Sequence, residues 1–305
     1  MSERKFSRRT PEVIAQQLHR LGIDVCATTV ARLMKKLMGY RLRVNHKKVE
    51  SGVRNPPDPK QRDRQFHYIE DQFVAFASQG YPIISVDTKK KELIGNFKNN
   101  GQAWKTEAIP VNDHDYPSDA EGRMVPYGAY DPLTDEGFVC VGDSGDTPAL
   151  AVDSIERWWR QMGCHRYPQA TELLILADCG GANGPRARVW LHQLQRQLCD
   201  PFGLTVSVSH YPPGASKWNL IEHRLFSHIT NNWAGEPLVS FDRALALIRG
   251  TKTESGLRVR ACRMRKNYPL GQKIPQRDFE ALALCRHEVL PKWNYTLYPW
   301  PLSEM

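Results

Sequence analysis

Two short apolar runs in this 305-residue sequence reach an aspartate at or near their ends: YPIISVDT (81–88), with Asp87, and TELLILAD (171–178), with Asp178. A buried strand that closes on a carboxylate leaves a charge that a cation or hydrogen bonds must meet. A third acid, Glu222, lies beside the helical stripe Ile221, Leu225 and Ile229 of KWNLIEHRLFSHIT (217–230). Three carboxylates within a few ångström repel one another, and without a cation at least one keeps its proton. Hard divalent cations such as Mg²⁺ or Mn²⁺ prefer oxygen ligands and would resolve the conflict. Two such ions, roughly 3.5–4 Å apart, would activate a nucleophile and stabilise the leaving oxygen of a phosphodiester. That chemistry is metal-assisted phosphoryl transfer.

Spacing alone does not single these three out among 33 acidic residues. The order of elements does more. The run carrying Asp87 reads as a buried strand, VPYGAY and GFVCVG as two more strands around the turn residues DPLTDE. PALAVDSIERWWRQMG then reads as a helix burying Val152, Ile155, Trp158 or Trp159, and Met162. The strand ending in Asp178, a helix over about 186–199, the strand LTVSVSHY and the helix with Glu222 follow. A three-stranded meander followed by helix, strand, helix, strand, helix is the order of an RNase H-like α/β fold, a mixed sheet flanked by helices. In such a sheet the first and fourth strands are neighbours, so Asp87 and Asp178 are expected side by side.

Charge divides the chain. Residues 1–64 hold 16 Lys and Arg against 6 Asp and Glu, whereas the rest holds 26 against 27. This asymmetry points to a polyanion-binding module joined to a neutral body, the alternative being a solvated basic tail. Within it, PEVIAQQLHRLG places Ile14, Leu18 and Leu21 at helical spacing, and ATTVARLMKKLMGY does the same for Val30, Leu33, Met34 and Leu37. Two short helices, the second basic on its outer face, describe a small all-α helix-turn-helix over 1–50, or else a plain helical hairpin. Thr28, Thr29, Arg32, Lys35, Lys36, Arg41, Arg43, Lys47 and Lys48 are its candidate DNA contacts, although Cys26 is a poor cap for the second helix. SGVRNPPDPKQRDRQ suggests a linker over 51–64, leaving 65–305 as the catalytic body. No run of eighteen apolar residues occurs, so no membrane helix is expected, and no apolar stretch follows the basic N-terminus as in a secretory signal. The seven cysteines show no CxxC spacing and read as buried thiols, not as a disulfide or zinc framework.

The segments PIISVDTKKKELIGNFKNNGQAW, VNDHDYP, VPYGAYD, TELLILADCGGANG and HYPPGASKWNLIEHRLFSHITNNWAG resemble the catalytic domain of bacterial insertion-sequence DDE transposases of the ISAzo type. These belong to the RNase H-like, retroviral integrase superfamily, and the resemblance runs from about residue 10 to the end. It implies that Asp87, Asp178 and Glu222 are the DDE triad, with Asp87 and Asp178 sharing two metals (Mg²⁺ or Mn²⁺) and Glu222 completing the second site. The implied activity is DNA transposition: binding element ends, cleaving 3′ ends as an endonuclease, and joining them to target DNA. The implied partners are double-stranded DNA, as terminal inverted repeats and target, and further copies of the chain, in a dimer or larger assembly at the bacterial nucleoid. Family members carry more sequence upstream, including another DNA-binding segment, whereas this sequence opens close to the helix-turn-helix.

Neighbouring residues have two readings each. Lys89 either holds a phosphate or is a solvated lysine, and Lys217 and Trp218 open the Glu222 helix, where phosphate is attracted and an indole either stacks on a base or joins the core. Asn183, Asn219 and His223 are accessory candidates, as orienting groups or as scaffold. Two rivals to the transposase reading are a nuclease of the same fold without strand transfer and a truncated, non-catalytic DNA-binding remnant.

Overall fold

A computed structural model describes residues 9–41 and 58–300. The chain divides into two compact units, Met1–Gly52 and Val53–Met305. In the first, helix α1 (Pro11–Arg20) starts with its proline in the first turn and the Thr10 hydroxyl accepting from the Val13 amide. Gly22, at φ +82°, lets the chain turn toward α2 (Ala27–Lys36). Cys26, at the cap position of that helix, gives the helix amides no side-chain hydrogen bond. Of the expected stripe only Val30 is buried, and Leu37 stays 78% exposed. Two ten-residue helices share too little surface to enclose a second layer of side chains.

The second unit opens with α3 (Pro59–Ser78), whose cap Asp58 accepts from the Lys60 amide. Residues 59–64, expected as linker, are therefore helical: Asp58-Pro59 is a strong start signal that the surrounding charge and proline obscured. Among the described residues nine strands follow: β1 (Ile83–Thr88), β2 (Glu92–Ile94), β3 (Gly122–Asp131), β4 (Glu136–Gly142), β5 (Glu172–Ala177), β6 (Thr205–His210), β7 (Arg258–Met264), β8 (Leu284–Arg286) and β9 (Asn294–Leu297). They form one mixed sheet in the order β7-β4-β3-β1-β5-β6-β9-β8, with β2 paired to β3 outside that path. The central five are the expected RNase H-like set, an antiparallel meander continued by the parallel strands β5 and β6. Residues beyond the Glu222 helix lengthen both edges, β7 running parallel to β4 and β9 antiparallel to β6.

Helices cover both faces. On one, α4 (Pro148–Trp158) and α5 (Arg188–Leu194) bury Leu150, Ile155, Trp158 and Trp190 against Val86, Phe138 and Ile175. On the other, the Glu222 segment, with α6 (Ser227–Asn232) and α7 (Phe241–Arg249), packs Ile221, Leu225, Phe226 and Phe241 on Tyr130 and Val139. Beside them, α3 lays Ile69 and Phe76 over Ile83, Leu174 and Leu176. A further short helix, α8 (Gln276–Glu280), precedes the β8–β9 hairpin.

Candidate active site

Strand register places the two aspartates. Val86 pairs with Ala177 at the end of the parallel β1–β5 ladder, so Asp87 and Asp178 are the next residues on neighbouring strands, whose axes lie about 4.8 Å apart. Alternation puts Ser85 and Asp87 on the same face of β1. There the Ser85 hydroxyl donates to Asn219 Oδ1 (2.7 Å) and accepts from the Ile221 amide (3.3 Å). Asn219 Nδ2 in turn donates to Asp87 Oδ2 (2.9 Å), while the Thr88 amide donates to Asp87 Oδ1 (2.7 Å). The chain leading to Glu222 is thus fastened to the strand that carries Asp87.

Close approach of that chain depends on missing side chains. Gly128 stands opposite Asp87 on β3, and a Cβ there would lie 2.7 Å from Phe226 and 2.9 Å from Ile221. At Gly137 a Cβ would come within 2.5 Å of Leu225. Glu222 itself begins a π-helical turn, Glu222–Phe226, that runs into α6. Such turns bulge a helix locally and are frequent where a side chain must be re-aimed.

Electrostatics bind the three acids into one field. Burial, then repulsion from Asp178 and more weakly Glu222, pushes the Asp87 carboxyl up to about 8. Asp178 is also raised, chiefly by burial, with Asp146 and Glu222 adding to the effect and the Asn183 amide opposing it. Glu222 is raised by burial, with Lys89 and His223 opposing. Asp146 is a fourth carboxylate beside the cleft; it accepts from the Thr88 hydroxyl (3.0 Å) and pairs with Lys91 (3.2 Å). Its only mark in the sequence is an acid one residue ahead of Thr147, the cap of α4.

Donor chemistry here fits a hard divalent cation: oxygen ligands only, with too little positive charge to keep every carboxyl ionised. Among the described residues, no three His, Cys, Asp or Glu side chains lie close enough together to hold one ion. The three acids are neighbours in field, not a closed ligand shell.

The other expected residues lie in different settings. Asn183 and Asn219 are buried in the cleft wall; Asn183 accepts from the Tyr127 hydroxyl (2.7 Å) and donates to Asp178 Oδ1 (3.3 Å). Lys89 departs from expectation: it is only 6% exposed, 3.7 Å from Glu92 and 4.6 Å from the centre of the Trp233 ring, so it is no surface phosphate contact. Its ammonium faces inward because it leaves β1 on the side of the Glu222 helix, where it offsets the charge of Glu222. Lys217 and His223 are exposed, His223 Nε2 donating to the Lys217 carbonyl (2.7 Å). Trp218 is half exposed against Phe66 and Arg62. In the N-terminal unit Thr28, Arg32, Lys35, Lys36 and Arg41 are exposed and Thr29 partly so, its hydroxyl 3.3 Å from the Cys26 thiol. Arg43, Lys47 and Lys48 lie outside the described residues.

Residues 1–299 match the family described as the Rhodopirellula transposase DDE domain. No curated protein sequence compared with the chain matches it. Among solved structures, the Mos1 transposase paired-end complex with left transposon end is similar at TM-score 0.44 and 12% identity, over 77% of this chain and 63% of that one. The Mos1 mariner paired end complex with Mn gives 0.42 and 14%, over 77% and 64%. A simian T-cell lymphotropic virus intasome in complex with PP2A regulatory subunit B56 gamma gives 0.30 and 12%, over 64% and 58%. The chain thus spans a little under two thirds of the length of the Mos1 chains it resembles.

Proposed function

The chain belongs to this family of DDE-domain transposases, and from that premise we propose that it cuts the 3′ ends of a mobile DNA element and joins them to target DNA. Asp87, Asp178 and Glu222 are its acidic triad. The observation that carries the reading is the β1–β5 register, which sets two half-buried carboxyls on adjacent strand ends, where burial and then repulsion from Asp178 raise Asp87 to about 8. Such strain is the mark of a site built for a charge that arrives with a ligand. Asp87 and Asp178 would hold the divalent ions, Mg²⁺ or Mn²⁺, with Glu222 closing on the second. Bound there, the metal supplies Lewis-acid stabilisation of a phosphodiester and activation of the attacking oxygen.

The chain's own groups do the rest. Asn219 and the Thr88 amide orient the Asp87 carboxylate, Asn183 orients that of Asp178, and Lys89 restrains the charge of Glu222. Exposed Arg32, Lys35 and Lys36 on α2 fit the backbone phosphates of duplex DNA, the terminal repeats, which such cations hold without reading sequence. Two ends joined in one event call for a dimer or larger assembly on DNA, in the bacterial cytoplasm at the nucleoid. Among the described residues no helix is long and apolar enough to cross a membrane.

Labelled element-end DNA incubated with Mg²⁺ or Mn²⁺ tests the reading. Metal-dependent 3′-end cleavage that Glu222→Gln abolishes is expected, followed by strand transfer from pre-nicked ends. Cleavage without joining would leave a nuclease of this fold, and wild-type cleavage no higher than a background shared with Asp178→Asn would leave a non-catalytic DNA-binding protein.

A further inference from the structure

Behind Asp178 lies a chain of buried polar groups that the proposed chemistry does not use. His210, the last residue of β6, is fully buried. Its amide donates to the Trp293 carbonyl (3.0 Å), and its carbonyl accepts from Gln65 Nε2 (2.9 Å). Its ring nitrogens reach in opposite directions, Nδ1 to the Asp178 carbonyl (2.7 Å) and Nε2 to the Tyr295 hydroxyl (3.0 Å).

One arrangement of protons satisfies every member. A carbonyl only accepts, so Nδ1 carries the hydrogen that lies between it and Asp178. The indole of Trp190 only donates, and its Nε1 is 2.7 Å from the Tyr295 oxygen. Tyr295 therefore accepts from Trp190 and sends its own proton to His210 Nε2, which must be bare. The indole thus supports, through a phenol, the same tautomer that the Asp178 carbonyl requires, with the hydrogen on Nδ1. The adjoining backbone is stitched the same way: the Tyr211 amide donates to the Ala177 carbonyl (2.8 Å) and the Cys179 thiol to the Tyr211 carbonyl (3.0 Å).

We propose that His210 is a positioning residue for Asp178: its Nδ1–H, locked in that tautomer by Tyr295 and Trp190, fixes the peptide from which the Asp178 carboxylate springs. The proposal rests on the reading of Asp178 as a metal ligand. A ligand's affinity depends on how firmly its support holds it, and loss of such outer partners typically weakens metal binding about 10–100-fold.

Two substitutions separate positioning from mere packing. In His210→Asn the amide nitrogen falls where Nδ1 stands, keeping the Asp178 bond and giving up Tyr295. In His210→Gln the end of the side chain reaches the Nε2 position, keeping Tyr295 and giving up Asp178. Mn²⁺ binding by calorimetry, with Asp178→Asn as the baseline, is read beside thermal unfolding of each protein. Expected is a Kd within about threefold of wild type for the Asn variant and one weaker by about 10–100-fold for the Gln variant, at similar unfolding temperatures. Equal loss in both, following their unfolding temperatures, would overturn the proposal and leave a purely structural histidine. Unchanged Mn²⁺ binding in Asp178→Asn would overturn the ligand reading, and the proposal with it. Independently of metal, ¹⁵N spectra of histidine-labelled protein should show His210 protonated at Nδ1; the Nε2–H form would overturn the proposal alone.

Discussion

The two walls of the acidic cleft are held by different means. On the sheet side, Asp87 and Asp178 take their places from backbone register, and the turn after β5 is tied to the end of β6 by three consecutive residues. On the helix side, Glu222 takes its place from side-chain packing, through the Ser85–Asn219 pair and the space left by Gly128 and Gly137. Ladders of backbone hydrogen bonds do not shift with one side chain, whereas a helix seated on two absent Cβ atoms does. The sheet wall is the rigid half of the site, and the helix wall is the adjustable one.

Exchanging a carboxylate on the rigid wall should therefore remove chemistry and leave the frame standing. Asp178→Asn is expected to lower DNA cleavage at least about 1000-fold, a barrier increase of about 4 kcal/mol, with folding preserved. Asp87→Asn should do the same and should also stabilise the metal-free protein by about 0.5–2 kcal/mol, because strain kept for function is relieved. Paired cleavage and urea-unfolding measurements check both. A variant that loses activity only by unfolding would contradict the idea of a rigid wall.

The same strain should appear as a pH dependence. Asp87 is raised in the folded protein to about 8 from an ordinary 3.8. Between those values the native state binds a proton that the unfolded chain has released, so its contribution to stability is whole below about pH 4 and is lost as pH rises through 8. At its steepest the loss is up to about 1.4 kcal/mol per pH unit. Unfolding of metal-free wild type and Asp87→Asn, compared from pH 5 to 9, should show the gap between them widening with pH. A constant gap would mean that Asp87 is ionised throughout and that its neighbours, Asn219 and the Thr88 amide, already meet its charge.

How much of this was legible in the sequence follows the same division. The rigid wall was readable, because an apolar run closing on Asp is visible in one dimension and the order of elements makes β1 and β5 neighbours. The Glu222 helix was readable from its stripe, but not its π-helical turn, which leaves no periodic signal over five residues. Gly128 and Gly137 sit in VPYGAYD and EGFVCVG like any strand glycine, and only the facing Phe226 and Leu225 explain them. Lys89, Lys90 and Lys91 look alike as letters, yet Lys89 is buried while Lys90 and Lys91 reach solvent and pair with Glu92 and Asp146. Asp146 was hidden in an ordinary helix start. The outer strands escaped notice for a simpler reason: β8 and β9 span three and four residues, and β7 is an arginine-rich edge strand whose alternation is easily taken for loop.

The adjustable wall can be moved without touching an acid. In Gly128→Val the new Cβ would start 2.7 Å from Phe226 and 2.9 Å from Ile221, contacts that side chains do not sustain. The strand cannot yield, since β3 is paired on both sides, to β1 and to β4. Relief must come from the helix, so Ile221 and Phe226 retreat and carry Glu222, which follows Ile221 directly in the chain, away from Asp87. Overpacking of this kind costs about 1–3 kcal/mol, measurable as a lower urea midpoint at unchanged slope. Cleavage should fall further than that loss of stability accounts for at temperatures where the variant is fully folded. Trimming the opposing ring, in Gly128→Val combined with Phe226→Leu, should then recover part of the activity. Recovery of stability without activity would show instead that Glu222 had never moved, and that the helix wall is as stiff as the sheet.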